Sequence, residues 1–108
     1  MALTEETPGA ALVTVTQRRA SPRSFLQIWC RALGLPEHGR AEDMQDRICG
    51  CLLHSDRLQI IDEAHKLQTA TLDIIREVWD ATKVPIVLAA TPSFYTTITT
   101  RRIGSVAH

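Results

Sequence analysis

The stretch Leu58-Gln59-Ile60-Ile61-Asp62-Glu63-Ala64-His65 decides how this chain reads. Leu58, Ile60 and Ile61, two of them β-branched, lead into two adjacent acids, the pattern of a short buried strand that ends in charge. In open parallel sheets ligands bind outside the carboxyl ends of the strands, so a strand that delivers Asp62 and Glu63 there presents them to a ligand. Asp62 suits a hard cation such as Mg²⁺, which is held by one or two carboxylates together with phosphates. Glu63, one step on, is placed to face a water and act as its base. A solvated acidic strand end is the competing reading, and the sequence downstream weighs against it.

Downstream of this strand, residues 69–82 read as a helix whose Leu72, Ile75, Val78 and Trp79 face inward, with Arg76 and Asp80 paired at i, i+4 on its surface. Val84-Pro85-Ile86-Val87-Leu88-Ala89-Ala90-Thr91 is then a continuous apolar run, the mark of a strand covered on both faces, with Pro85 tolerated only near its start. Pro92 and Ser93 open a last helical stretch to about Thr100, and Arg101-Arg102 precede a stop at Gly104. Upstream, residues 41–54 predict a helix with Met44, Ile48, Cys51 and Leu52 on one face. Ser21-Pro22 offers a cap and a first-turn proline to another helix, whose Phe25, Ile28, Trp29, Ala32 and Leu33 recur at helical spacing up to Gly34. Residues 11–16 are a β-branched run fit for a strand, and residues 1–9 read as a helix tail stopped at Pro8-Gly9. The alternation predicts a three-layer α/β architecture around a parallel sheet of about three strands.

Gly34-Leu35-Pro36-Glu37-His38-Gly39-Arg40-Ala41 has the glycine spacing of a phosphate-binding loop but not its chemistry. That loop needs a Lys for the phosphates and a hydroxyl for Mg²⁺, where this chain has Arg40 and Ala41, and a helix rather than a strand precedes it. The segment reads as a helix–helix connection.

Composition narrows the class further. At 108 residues the chain is one small domain, and its 12 basic residues balance its 12 acidic ones, so no global field calls for a nucleic-acid partner. No apolar run is long enough to span a bilayer, and the polar, acidic start is unlike a signal peptide, so the chain reads as cytoplasmic with no membrane partner. Cys30, Cys49 and Cys51 lack zinc-site spacing and read as reduced, partly buried thiols. His38, His54 and His108 have no ligand spacing either, and His65 reads as a surface residue beside the acids.

The acid-ended strand with its DEAH spelling, followed one helix later by a buried strand ending in Thr91, resembles the Walker B and sensor 1 elements of AAA+ P-loop ATPases. The resemblance covers about residues 10–105 and is strongest over 58–91. It lies nearest the origin-recognition, DEAH-spelled type and the ATPases that capture target DNA in transposition. It implies ATP hydrolysis, with ATP and Mg²⁺ bound, in DNA transposition or another DNA-associated process, with DNA and a transposase as partners and a homo-oligomer in the complete protein. Carried over by position, Asp62 orders Mg²⁺, Glu63 polarises the attacking water, and Thr91 holds that water or the γ-phosphate. Arg101 or Arg102 would reach a neighbouring subunit's nucleotide, and a solvated basic pair reads equally well there.

One departure is large. No Gly-rich loop with Lys-Ser/Thr occurs in residues 1–108, and the fifth strand and helical lid of the family are missing, so the chain is expected to be a partial AAA+ core, with little or no activity alone and an unpaired apolar sheet edge. Two further readings stay open on this ground: a non-enzymatic interaction or assembly fragment, and a piece of a DEAH-type helicase. Arg18, Arg19, Arg23 and Arg31 cluster around the first strand and helix as candidate DNA-phosphate contacts, against a plain solvated basic face. With no backbone cradle for phosphates, calorimetric titration of the purified chain with Mg-ATP is expected to show weak or no binding. Tight binding would overturn that expectation.

Overall fold

The β-branched runs and helical stripes fold into an open parallel sheet with its helices packed against it. The computed structural model describes residues 10–16 and 20–90. Along the chain come β1 (Ala11–Thr14), α1 (Pro22–Ala32), α2 (Ala41–Leu52), β2 (Gln59–Asp62), a 3₁₀ turn (Ala64–Lys66), α3 (Thr69–Thr82) and β3 (Ile86–Leu88). The strands lie in the order β1-β2-β3, all parallel, with Val13 opposite Ile61 and Ile61 opposite Leu88. The parallel α/β architecture expected from the alternation is therefore present. The helical stretches expected near residues 1–9 and 92–100 lie outside the described residues.

Strand order explains where the helices go. Each crossover advances one position in the same direction, and right-handed connections then place every crossover helix on one face of the sheet. That face carries Val13, Ile61, Ile86 and Leu88, which share one core with Phe25, Leu26, Trp29, Met44, Ile48, Leu52, Ile75 and Val78. Along β1 burial alternates, so Leu12, pointing to the other face, remains 39% exposed while Ala11 and Val13 are buried.

α1 begins as its sequence requires. The Ser21 hydroxyl accepts from the Ser24 N–H at 3.2 Å and Pro22 fills the first turn. It ends on Gly34 at φ +73°, with the Leu35 N–H reaching back to the Cys30 carbonyl at 2.8 Å, a closure that needs the left-handed conformation glycine adopts without strain. The buried face of α1 differs from the expected stripe: Phe25, Leu26, Trp29 and Cys30 are buried, whereas Ala32 is exposed. The helix is clamped between the sheet and α2, and its Cys30 Sγ lies 3.8 Å from the Met44 carbonyl. Covering two neighbours rotates the buried stripe toward Leu26 and Cys30. Similarly, α3 buries Thr71, Ile75, Val78 and Thr82 and leaves Leu72 and Trp79 half-buried. Asp80 pairs with Lys83 Nζ at 4.0 Å instead of with Arg76.

The connection 34–40 has an ordered role. Arg23 donates to the Gly39 carbonyl at 3.1 Å, Gln27 to the Glu37 carbonyl at 3.2 Å, and Arg47 to the Pro36 and His38 carbonyls at 3.0 and 2.6 Å. The Arg31 guanidinium grips the Glu37 carboxylate with both nitrogens, and this hydrogen bonding holds the Glu37 carboxyl below the usual carboxylate range. Arg23 and Arg31, read from sequence as a basic face, are thus turned onto their own loop. Arg18 and Arg19 lie outside the described residues.

All three cysteines are free thiols, as their spacing predicts, and burial pushes the Cys30 and Cys49 thiols up, which keeps them protonated and unreactive. At the core, the Trp29 indole N–H donates to Gln59 Oε1 at 2.9 Å, while Gln59 Nε2 donates to the Arg57 and Leu58 carbonyls at 3.0 and 3.1 Å. Gln59 is fully buried, so its amide is worth keeping only because all of it is paired. Gln59→Leu strands the indole N–H in an apolar core and is expected to cost about 1–3 kcal/mol. Urea denaturation followed by tryptophan fluorescence measures this.

Candidate functional site

Parallel pairing brings the carboxyl ends of all three strands to one rim. There the backbone around the acid pair is fixed from both sides. The Val15 N–H donates to the Asp62 carbonyl at 3.1 Å, the Ala89 N–H to the Ile61 carbonyl at 2.9 Å, and the Ala64 N–H to the Ala89 carbonyl at 2.8 Å. Asp62 and Glu63 are therefore where the sequence placed them, at the end of the central strand. Thr14, which the sequence reading passed over, stands opposite Asp62 in the register and is exposed on the same rim. Its position follows only from pairing.

At Glu63 the chain bends sharply. Its φ and ψ of 61° and 36° put a non-glycine residue in the left-handed region, and the following 3₁₀ turn starts from it. Asp62 Oδ1 accepts the Glu63 N–H at 3.0 Å, which satisfies that donor where strand pairing stops. Glu63 Oε1 then lies 3.5 Å from His65 Nε2 and 3.7 Å from Lys66 Nζ, with the three side chains 30%, 18% and 29% exposed. His65, read as a surface residue, is half-buried beside Glu63. Lys66 was missed altogether, although its spacing of three from Glu63 was a legible signal.

The turn is also stapled to the start of α1. The Ala20 N–H donates to the Lys66 carbonyl at 3.1 Å, Ala20 bridges Leu67, and the buried Thr71 hydroxyl donates to the Ala20 carbonyl at 2.8 Å. Thr91, Arg101 and Arg102, the other expected site residues, lie outside the described residues. The last described residues before Thr91, Ala89 and Ala90, follow β3 at the same rim, with Ala89 bonded to the turn at Ala64.

The donor chemistry fits Mg²⁺ in the manner that ion favours. Among the described residues no three His, Cys, Asp or Glu side chains are grouped to hold a metal. Asp62 spends Oδ1 on the Glu63 N–H, which leaves its second oxygen as a hard ligand. One or two carboxylates completed by water and phosphate oxygens is an ordinary Mg²⁺ arrangement.

Among the described residues, the parallel sheet of three strands with flanking helices is an α/β architecture consistent with a P-loop NTPase domain. The family model described as an AAA domain matches residues 1–98, and the chain belongs to that family of P-loop ATPase-type, nucleotide-binding domains. Comparison with curated proteins gives no match. Among the described residues no helix is long and apolar enough to cross a membrane.

The backbone at Glu63 marks a conflict between fold and chemistry. A left-handed side-chain-bearing residue costs on the order of 1–2 kcal/mol, and glycine relieves it at an unfolded-chain entropy cost of about 0.4–1 kcal/mol. Glu63→Gly is therefore expected to stay within about 1 kcal/mol of the parent, whereas the β-branched Glu63→Val loses about 1–3 kcal/mol. Thermal and urea melts of the two variants check this.

Proposed function

We propose that this chain carries the Mg²⁺-ordering and water-activating part of an ATP-hydrolysing AAA domain. The observation that supports it is the acid pair at the carboxyl end of the central parallel strand, with Glu63 held in a strained, left-handed turn. Residues kept in sparsely populated backbone regions concentrate at functional sites. In this reading Asp62 is a Walker B aspartate whose carboxylate would hold Mg²⁺. When bound, the cation would neutralise charge building on the transferring phosphoryl group. The Glu63 carboxylate accepts a proton from the attacking water, and Thr91, at a sensor position, donates a hydrogen bond to that water or to the γ-phosphate. Arg101 or Arg102 serves a neighbouring subunit's nucleotide in a homo-oligomer.

Both strands that flank β2 matter to this chemistry, because phosphoryl transfer depends on positioning and electrostatics more than on covalent chemistry by the protein. The DNA-directed part of the reading, target capture in transposition with a transposase as partner, rests on the resemblance of residues 58–91. Arg23 and Arg31 are engaged with the 34–40 loop yet stay exposed, so together with Arg18 and Arg19 they remain candidate DNA-phosphate contacts.

The test is Mg²⁺-dependent hydrolysis at ATP concentrations raised to offset the weak binding expected, with and without duplex DNA. Turnover is expected to be slow, to fall on the order of 10²–10⁴-fold in Glu63→Gln, and to lose its Mg²⁺ dependence in Asp62→Asn. Hydrolysis that survives both substitutions would show that the acid pair is not the catalytic centre.

A further inference from the structure

The Glu63 carboxylate, 30% exposed, has two basic side chains beside it. Its Oε1 faces Lys66 Nζ at 3.7 Å and His65 Nε2 at 3.5 Å, and the Lys66 pair is an i, i+3 contact within one 3₁₀ turn. The backbone leaves little freedom to separate the pair. The Lys66 N–H donates to the Glu63 carbonyl at 3.0 Å, and the Lys66 carbonyl accepts from Ala20 at 3.1 Å, so both ends of the turn are held. With both side chains about two-thirds covered, at 29% and 30% exposure, the pair is screened less than a surface pair.

We propose that Lys66 is a positioning residue that occupies Glu63 as a built-in counter-cation and competes with a divalent cation for the acid pair. This rests on the reading of Asp62 as the cation ligand. It adds that the rim carries its own positive charge beside Glu63, at Lys66, with which a divalent ion held by Asp62 would have to contend. A cation entering beside Asp62 must repel the ammonium or displace it, so Lys66 weakens divalent binding and keeps Glu63 engaged until binding occurs. Because linkage is reciprocal, the same cation would loosen Lys66.

Mn²⁺ binding to the complete 108-residue chain, followed by electron paramagnetic resonance of the free ion, tests the proposal without any need for turnover. Lys66→Met is expected to tighten Mn²⁺ binding about two- to fivefold, the range that a partly exposed pair supports. Lys66→Arg, which keeps the charge, should remain close to the parent, as should Lys83→Met, which removes an equal charge from the far end of α3. Thermal melts confirm that each variant is folded. If Asp62→Asn abolishes Mn²⁺ binding but Lys66→Met leaves it unchanged, the role of Lys66 is overturned while the acid pair stands. If Mn²⁺ binding is unaffected by Asp62→Asn, or is undetectable in both the parent and Lys66→Met, the reading of the acid pair itself fails and this proposal with it.

Discussion

Everything at the rim depends on β2 being hydrogen-bonded along both edges. Parallel pairing to β1 and β3 satisfies its backbone donors and acceptors inside the core, and the same ladder carries past Asp62 to Val15 on one side and Ala89 on the other. A short strand with a free edge would let its end slide or fray. Held between two neighbours, it places two carboxylates to within the tolerance of a backbone hydrogen bond. The buried Gln59 amide anchors the opposite end of the strand to α1 through Trp29, so β2 is fixed in register at both termini.

Against that rigid frame, Glu63 is the point where local preference loses. Its left-handed backbone conformation is one that glycine or asparagine would adopt more cheaply, and the surrounding bonds, from Asp62 Oδ1 and from Ala64 to Ala89, hold it there. The turn aims the carboxylate at Lys66 and His65 instead of out into solvent. A charged group shielded by its own neighbours is a group whose availability can be changed by whatever competes for those neighbours. The staple from Thr71 through Ala20 ties this turn to the first turn of α1, so a displacement at the rim is transmitted to the segment leading out of β1.

The arginines show how a sequence cluster changes meaning when it folds. Arg23, Arg31 and Arg47 come from two different helices and converge on carbonyls and a carboxylate of the loop between them. The loop that mimics a phosphate-binding sequence in its glycine spacing is instead a ligand for the protein's own guanidinium groups. Gly39, at φ +98°, holds a left-handed backbone conformation that side-chain-bearing residues rarely adopt, and this is what its glycine serves.

Much of this was legible in the linear chain. The periods of the apolar residues located each helix and strand to within a few positions, because an amphipathic helix and a buried strand bury different spacings of side chains. The position of the acid pair was legible because two acids directly after an apolar run mark the end of a buried strand. The failures share one cause. The rotation of α1 toward Leu26 and Cys30, the burial of Thr71 and Thr82, the engagement of Arg23 and Arg31 with the 34–40 loop, and the meeting of Thr14 with Asp62 all depend on which element packs alongside. By itself the sequence determined the order of the elements, their parallel α/β class and the residues at the end of the central strand, since these follow from local periodicity and backbone chemistry. Only the tertiary structure decided which faces are covered, which cations meet Glu63 and how strained that residue is, since contacts between segments distant in sequence set those and no local pattern encodes them.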